Sequence, residues 1–179
     1  MTSSRLADLW DVMAEEAAAE SPLWGAALRP ESERERRPIF SLLADARFAL
    51  GIETIYEGYL LHYGTPRLFV PADDDTGLLL GDYLYAHGLV RIAQFDETAA
   101  VEDLAELISV CAQLRGDGAP GDGEVWAATS ACLGSEELRR ARTALRLEGE
   151  LAPLAGLARL TAGATALDQA LEAHARLVG

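Results

Sequence analysis

Lysine and asparagine are absent from all 179 residues, so each of the 15 basic side chains is an arginine, a bias that points to a GC-rich coding sequence. No Walker loop and no dinucleotide-binding fingerprint occurs. Cysteine is scarce. Cys111 and Cys132 both lie in apolar helical patterns, which reads as two reduced, buried packing residues, and two thiols without a neighbouring histidine make no zinc site. No uncharged apolar run approaches the ~20 residues that a membrane helix needs, which argues against membrane insertion. The N-terminal stretch "MTSSRLADLWDVMAEEAAAE" carries acids where an export signal needs an apolar core, so a cytoplasmic location is expected.

What is present is acid and aliphatic carbon. The formal net charge is −14, half of the residues are hydrophobic, and aromatics make up only 7%. Such a surface repels phosphate backbones and anionic lipid headgroups, so nucleic acid is excluded as a partner and a basic patch on another protein is favoured. The length is that of a single domain, residues 1–179, able to bury a substantial core.

The hydrophobic spacing is helical almost throughout. Ser3 or Ser4 can cap a first helix with Leu6, Leu9, Trp10 and Met13 on one face, broken by "SPLWGAALRP". The charged "ESERERRP" reads as a solvated lead-in, and Pro38 suits the first turn of a helix over about 38–62. Phe40, Leu43, Phe48, Leu50, Ile52, Ile55 and Tyr59 spread around that helix, which predicts a position inside a bundle. "YGTPRLFVPADDDTG" is a loop in which Asp74 or Asp75 is a ready cap for the helix "TGLLLGDYLYAHGLVRIA". "DETAAVEDLAELISVCAQL" follows, then "RGDGAPGDGE" as a flexible turn, then a short buried helix "EVWAATSACLG" ended by Gly134. The remainder supplies two or three amphipathic helices. No alternating strand pattern of useful length occurs, and the expected class is an all-α helical bundle.

Candidate chemistry is sparse. Glu53 and Glu57 share a helix face and could suit a carboxylate metal site, but no glutamate has the histidine three residues on that a di-iron bundle wants, so the simpler reading is a polar edge on a buried helix. Asp73–Asp75 are explained by capping and the helix dipole. "GDGAPGDGE" lacks the alternating oxygen donors of an EF-hand and reads as a disordered turn. His62, His87 and His174 are scattered, with no context that makes any of them a triad base.

Two segments carry a resemblance. "IETIYEGYLLHYGTPR" resembles the helix of trans-polyprenyl diphosphate synthases that runs Glu-x-Ile through Leu-His into a first Asp-rich motif. "TGLLLGDYLYAHGLVRIA" resembles that family's next helix, and is closer still to the version in the non-catalytic small component of heterodimeric heptaprenyl diphosphate synthases. "VEDLAELISVCAQL" and "EVWAATSACLG" continue the similarity in the same order, so the family-like segment spans about 38–134.

The resemblance implies an isoprenoid-synthase bundle in shortened form, whose active members hold Mg²⁺ and an allylic diphosphate through two Asp-rich motifs. Here Glu53 and His62 match, but Tyr63 and Gly64 stand where the first aspartates would be, no second motif follows, and no lysine can meet the diphosphate. This is a degenerate former site: catalytic and metal-ligating residues are expected to be none, with Mg²⁺ entering only through a catalytic partner. Gly81 and Asp82 match the family's Gly-Asp, and Gly81 is expected at a close helix crossing, where its cost of roughly 1 kcal/mol relative to alanine is offset. Leu79, Tyr83, Leu84, Tyr85, Val90, Leu104, Leu107 and Ile108 are more apolar groups than one inward stripe requires and are the expected structural and interface residues. The functional expectation is an accessory subunit of a polyprenyl diphosphate synthase, inactive alone, in isoprenoid or quinone side-chain biosynthesis. The alternative is a stand-alone helical homodimer binding an apolar lipid tail or a partner helix.

Overall fold

The computed structural model describes the backbone of residues 2–178 and the side chains of residues 9–178. The described residues form an all-α bundle of nine helices: α1 Thr2–Glu20, α2 Pro22–Ala26, α3 Ala49–Tyr63, α4 Asp74–Ala93, α5 Thr98–Gly116, α6 Asp122–Ala131, α7 Glu136–Glu148, α8 Ala152–Ala162 and α9 Ala164–Val178. None of the described helices is long and apolar enough to cross a membrane. The first helix places Ser3 and Ser4 within its opening turn; their capping, and the packing of Leu6, lie outside the described side chains. Trp10 and Met13 are buried as expected.

α3 is the axis of the bundle, and every residue from Gly51 to Leu60 is buried. It is shorter than its apolar spacing predicts. The helix expected from residue 38 starts only at Ala49, because the N–H groups of Ile39 and Ser41 are captured by the Glu53 carboxylate (2.9 and 3.1 Å). Asp45 then takes an extended conformation and accepts from Arg47 N–H at 3.0 Å, leaving two short 3₁₀ turns, Phe40–Leu43 and Ala46–Phe48.

The loop after α3 runs back beside the short segment that follows α2, with Arg29 N–H donating to Leu68 O and Val70 N–H to Ala27 O. Asp73 caps α4, in place of the expected Asp74 or Asp75: it is the extended residue, and its carboxylate accepts from Thr76 N–H at 2.7 Å. Asp74 and Asp75 occupy the first turn, where their charge meets the positive end of the helix.

α3 and α4 form the most extensive helix pair, antiparallel and spaced by glycine. Gly51 and Gly58 on α3 face Gly88 and Gly81 on α4; a Cβ at Gly58 would stand 2.8 Å from Gly81 O, and one at Gly88 2.9 Å from Gly51 O. The interval of seven residues on both helices keeps these notches on one side, so the backbones approach where any side chain would hold them apart. Gly81 is thus in the close crossing its sequence context implies. A Cβ there would lie 2.6 Å from His62 Nε2, the end of a side chain and not backbone. This distinction gives a test. Gly58→Ala is expected to destabilise by about 1–2 kcal/mol, and Gly81→Ala by less, because the His62 ring can swing aside. Thermal melts of the two variants check the order; equal melting temperatures would show that the contact with Gly81 O does not limit the approach.

Two apolar clusters flank this pair. One joins α3 to α5–α9 around Phe40, Tyr56 and Trp126, with Phe40 and Trp126 stacked at 5.4 Å. The other joins α1 to α4 and the 64–73 loop through Trp10, Met13, Leu68, Phe69, Leu80 and Leu84. Cys111 and Cys132 are free thiols buried in the first cluster.

Candidate functional site

Glu53 and Glu57 are not a polar edge. Both are fully buried, and Arg67, returning from the loop, lies between them. Its Nη1 donates to Glu53 Oε2 at 2.8 Å and to Arg37 O at 2.9 Å, and its Nε donates to Glu57 Oε2 at 3.0 Å. Each carboxylate also accepts backbone N–H groups, Glu53 from Ile39 and Ser41, and Glu57 from Leu68 at 2.7 Å. The guanidinium is sandwiched between the rings of Trp10 (4.6 Å) and Tyr56 (4.9 Å). Burial alone would lower the Arg67 pKa, but the two carboxylates outweigh it and raise the pKa above its ordinary value. All four carboxylate oxygens are therefore spoken for, and the pair fastens the 37–41 and 64–68 segments to α3.

At the end of α3, beyond Tyr63, Gly64 and Thr65 meet α9. Thr65 N–H donates to Leu177 O at 2.8 Å, and a Cβ at Gly64 would stand 2.7 Å from that same oxygen. His62 stacks on Tyr85 at 5.1 Å and lies 3.2 Å from the exposed Asp82 without hydrogen-bond geometry. The two residues make an α3–α4 surface contact and do not extend into a site.

The densest ionisable cluster lies elsewhere. Tyr56 and Tyr59 of α3, Arg115 at the end of α5, Asp122 at the start of α6 and His174 of α9 converge beside an open cleft of about 550 Å³. Asp122 Oδ2 is the hub. It accepts from the Tyr59 hydroxyl, from Arg115 Nε (3.0 Å) and Nη2, and from His174 Nε2 (3.2 Å). An ionised carboxylate only accepts, so His174 Nε2 carries a hydrogen, and in the neutral ring Nδ1 accepts from Tyr56 O–H at 2.9 Å. Burial by itself would raise the Asp122 pKa. The bonds from His174 and Tyr59 and the Arg115 charge outweigh it and hold the carboxyl well below the usual range. Burial and the bond to Asp122 push the Tyr59 hydroxyl far above its ordinary value, so it remains a donor. A carboxyl held this low stays ionised near neutral pH, and both His174 nitrogens are engaged. The cluster is a junction of four helices.

The sequence pattern hid this junction. "GDGAPGDGE" is not a disordered turn through its length, since Asp122, Gly123 and Glu124 are the first turn of α6, entered through Gly121 at φ +116°, a conformation that favours glycine. His174 gave no signal of its own, since α9 is amphipathic and carries Asp168, Gln169, Glu172 and Arg176 as well. Among the described residues no group of three or more His, Cys, Asp or Glu side chains could hold a metal ion.

Of the expected interface residues, Leu84, Leu104 and Leu107 are fully buried core, since they face α1 or α3 across the bundle. Tyr83, Tyr85 and Ile108 are partly buried against that core, Tyr83 stacking on Trp24 at 5.9 Å. Leu79 and Val90 stand out from α4 at 58% and 57% exposure, joined by Leu78 at 50%. No family model, no curated protein and no solved structure matches this chain.

Proposed function

We propose that this chain is a non-catalytic, synthase-like helical subunit that associates with a catalytic polyprenyl diphosphate synthase, in isoprenoid or quinone side-chain biosynthesis. The observation that carries the reading is the exposure of large aliphatic side chains on α4. Leu78, Leu79 and Val90 are each at least half exposed on the helix that resembles the Gly-Asp helix of the synthases. Three large aliphatic side chains on one helix favour a partner surface over solvent. The commitment of Glu53, Glu57 and Asp122 to arginine supports a supporting role, because none of these three carboxylates is free to meet Mg²⁺. Any Mg²⁺ and diphosphate chemistry belongs to the partner.

The expected result is a complex with an Asp-rich synthase, read by light scattering of the mixture. Leu79→Glu with Val90→Glu should weaken it by tenfold or more, since charge at the centre of an apolar interface is strongly unfavourable. Turnover of labelled isopentenyl and allylic diphosphates should need the partner. A homodimer broken by the same double substitution would favour the stand-alone reading. A 19.2 kDa monomer that ignores the synthase would reject association.

A further inference from the structure

We infer that the cleft between α1 and the α3–α4 pair binds a small apolar monocarboxylic acid, and that Glu16 occupies its carboxylate position as an internal competitor. The cleft holds about 560 Å³ and is lined by Leu50, Val90 and Phe95 on its apolar side and by Tyr83, His87 and Arg91 on its polar side. Arg91 is the anchor. Its side chain is only 9% exposed, yet Nε has no hydrogen-bond partner among the described residues. Burial holds its pKa below the ordinary value, with the Glu16 charge recovering only part of that loss.

Glu16 shows what the site accepts. A single oxygen, Oε2, receives both His87 Nε2 at 2.8 Å and Arg91 Nη2. Nε and Nη2 of a guanidinium form one edge of a planar fork that suits both oxygens of a carboxylate. The resident acid uses half of that edge and leaves the buried Nε without a partner among the described residues. Glu16 is tethered to α1 and 45% exposed, so it can turn out to solvent. A free acid can straddle Nε and Nη2, keep the His87 contact and lay its chain along Leu50, Val90 and Phe95. The charge of the ligand is limited to one. Glu20 also lines the cleft, Arg47 opposite it is already paired with Glu97, and the whole chain carries −14. These terms disfavour a phosphate dianion more than a carboxylate.

The test is titration of the full chain with octanoate, octylamine, octanol and octyl phosphate, read by calorimetry and by the His87 ring resonances. Octanoate should saturate the site and shift His87. Glu16→Gln should tighten it at least tenfold by removing the competing charge, and Arg91→Lys should weaken it at least tenfold by removing the fork. Glu16 is exposed, so the Gln variant keeps the test decisive should Arg91→Lys fail to fold. Octanol or octylamine binding as tightly as octanoate, octyl phosphate binding more tightly, or no saturable shift of His87 in either wild type or Glu16→Gln would overturn the inference.

Discussion

Arg67→Met is expected to cost about 3–5 kcal/mol, the range for removing one side of a buried ion pair. The cause is not the lost attraction as such. Glu53 and Glu57 are fully buried, and without the guanidinium two carboxylates would share a water-free space with only backbone N–H groups to hold their charge. Methionine fills much of the volume between Trp10 and Tyr56 but supplies no donors, so the penalty is electrostatic. For a chain of this length the loss corresponds to a fall in melting temperature of about 6–20 °C. Adding Glu53→Gln and Glu57→Gln to Arg67→Met should restore most of it, because the glutamine carbonyls still accept from Ile39, Ser41 and Leu68 while the unpaired charge is gone. Chemical denaturation of wild type, single and triple variants measures both steps. A single variant as stable as wild type would mean that water reaches the carboxylates.

The same residues mark how far the sequence could be read. The 3.6-residue period was sufficient for the all-α class, for α4, α5 and α6 and for two or three helices beyond them, because apolar residues recur at helical spacing there; it did not fix the cap of α4, which is Asp73 and not Asp74 or Asp75. It failed over 38–48, where the apolar residues keep helical spacing but a carboxylate more than ten residues away takes the backbone donors. Glu53 and Glu57 were legible as one face of one helix. That an arginine from the next loop would cover them was not, since a loop has no periodicity to fix where its side chains land. The junction is further from local reach: Tyr59 and Asp122 are 63 positions apart, and Tyr56 and His174 are 118 apart. Each is an ordinary polar residue until the helices pack. The apolar excess on α4 and α5 was legible as an excess, but its division into core (Leu84, Leu104, Leu107) and exposed residues (Leu79, Val90) depends on where α1 and the 64–73 loop lie. Periodicity within one helix carries no record of that.

The second large effect concerns the junction and has a pH signature. Asp122→Ala removes the acceptor shared by Tyr59, Arg115 and His174 and should cost about 1.5–3 kcal/mol at pH 7, the worth of hydrogen bonds to a charged group. The carboxyl pKa is held below its unfolded value of about 3.9, so between those two values the unfolded chain binds more protons than the folded one. The stabilisation is therefore fully present above about pH 5. It is lost as pH falls from about 4 through the folded pKa. The gap between wild type and Asp122→Ala should accordingly stay constant from about pH 7 to pH 5 and narrow steadily below about pH 4. Urea unfolding of both proteins at intervals from about pH 7 to pH 2.5 reads this directly. A gap that persists undiminished at pH 2.5 would show that the side chain acts through packing alone.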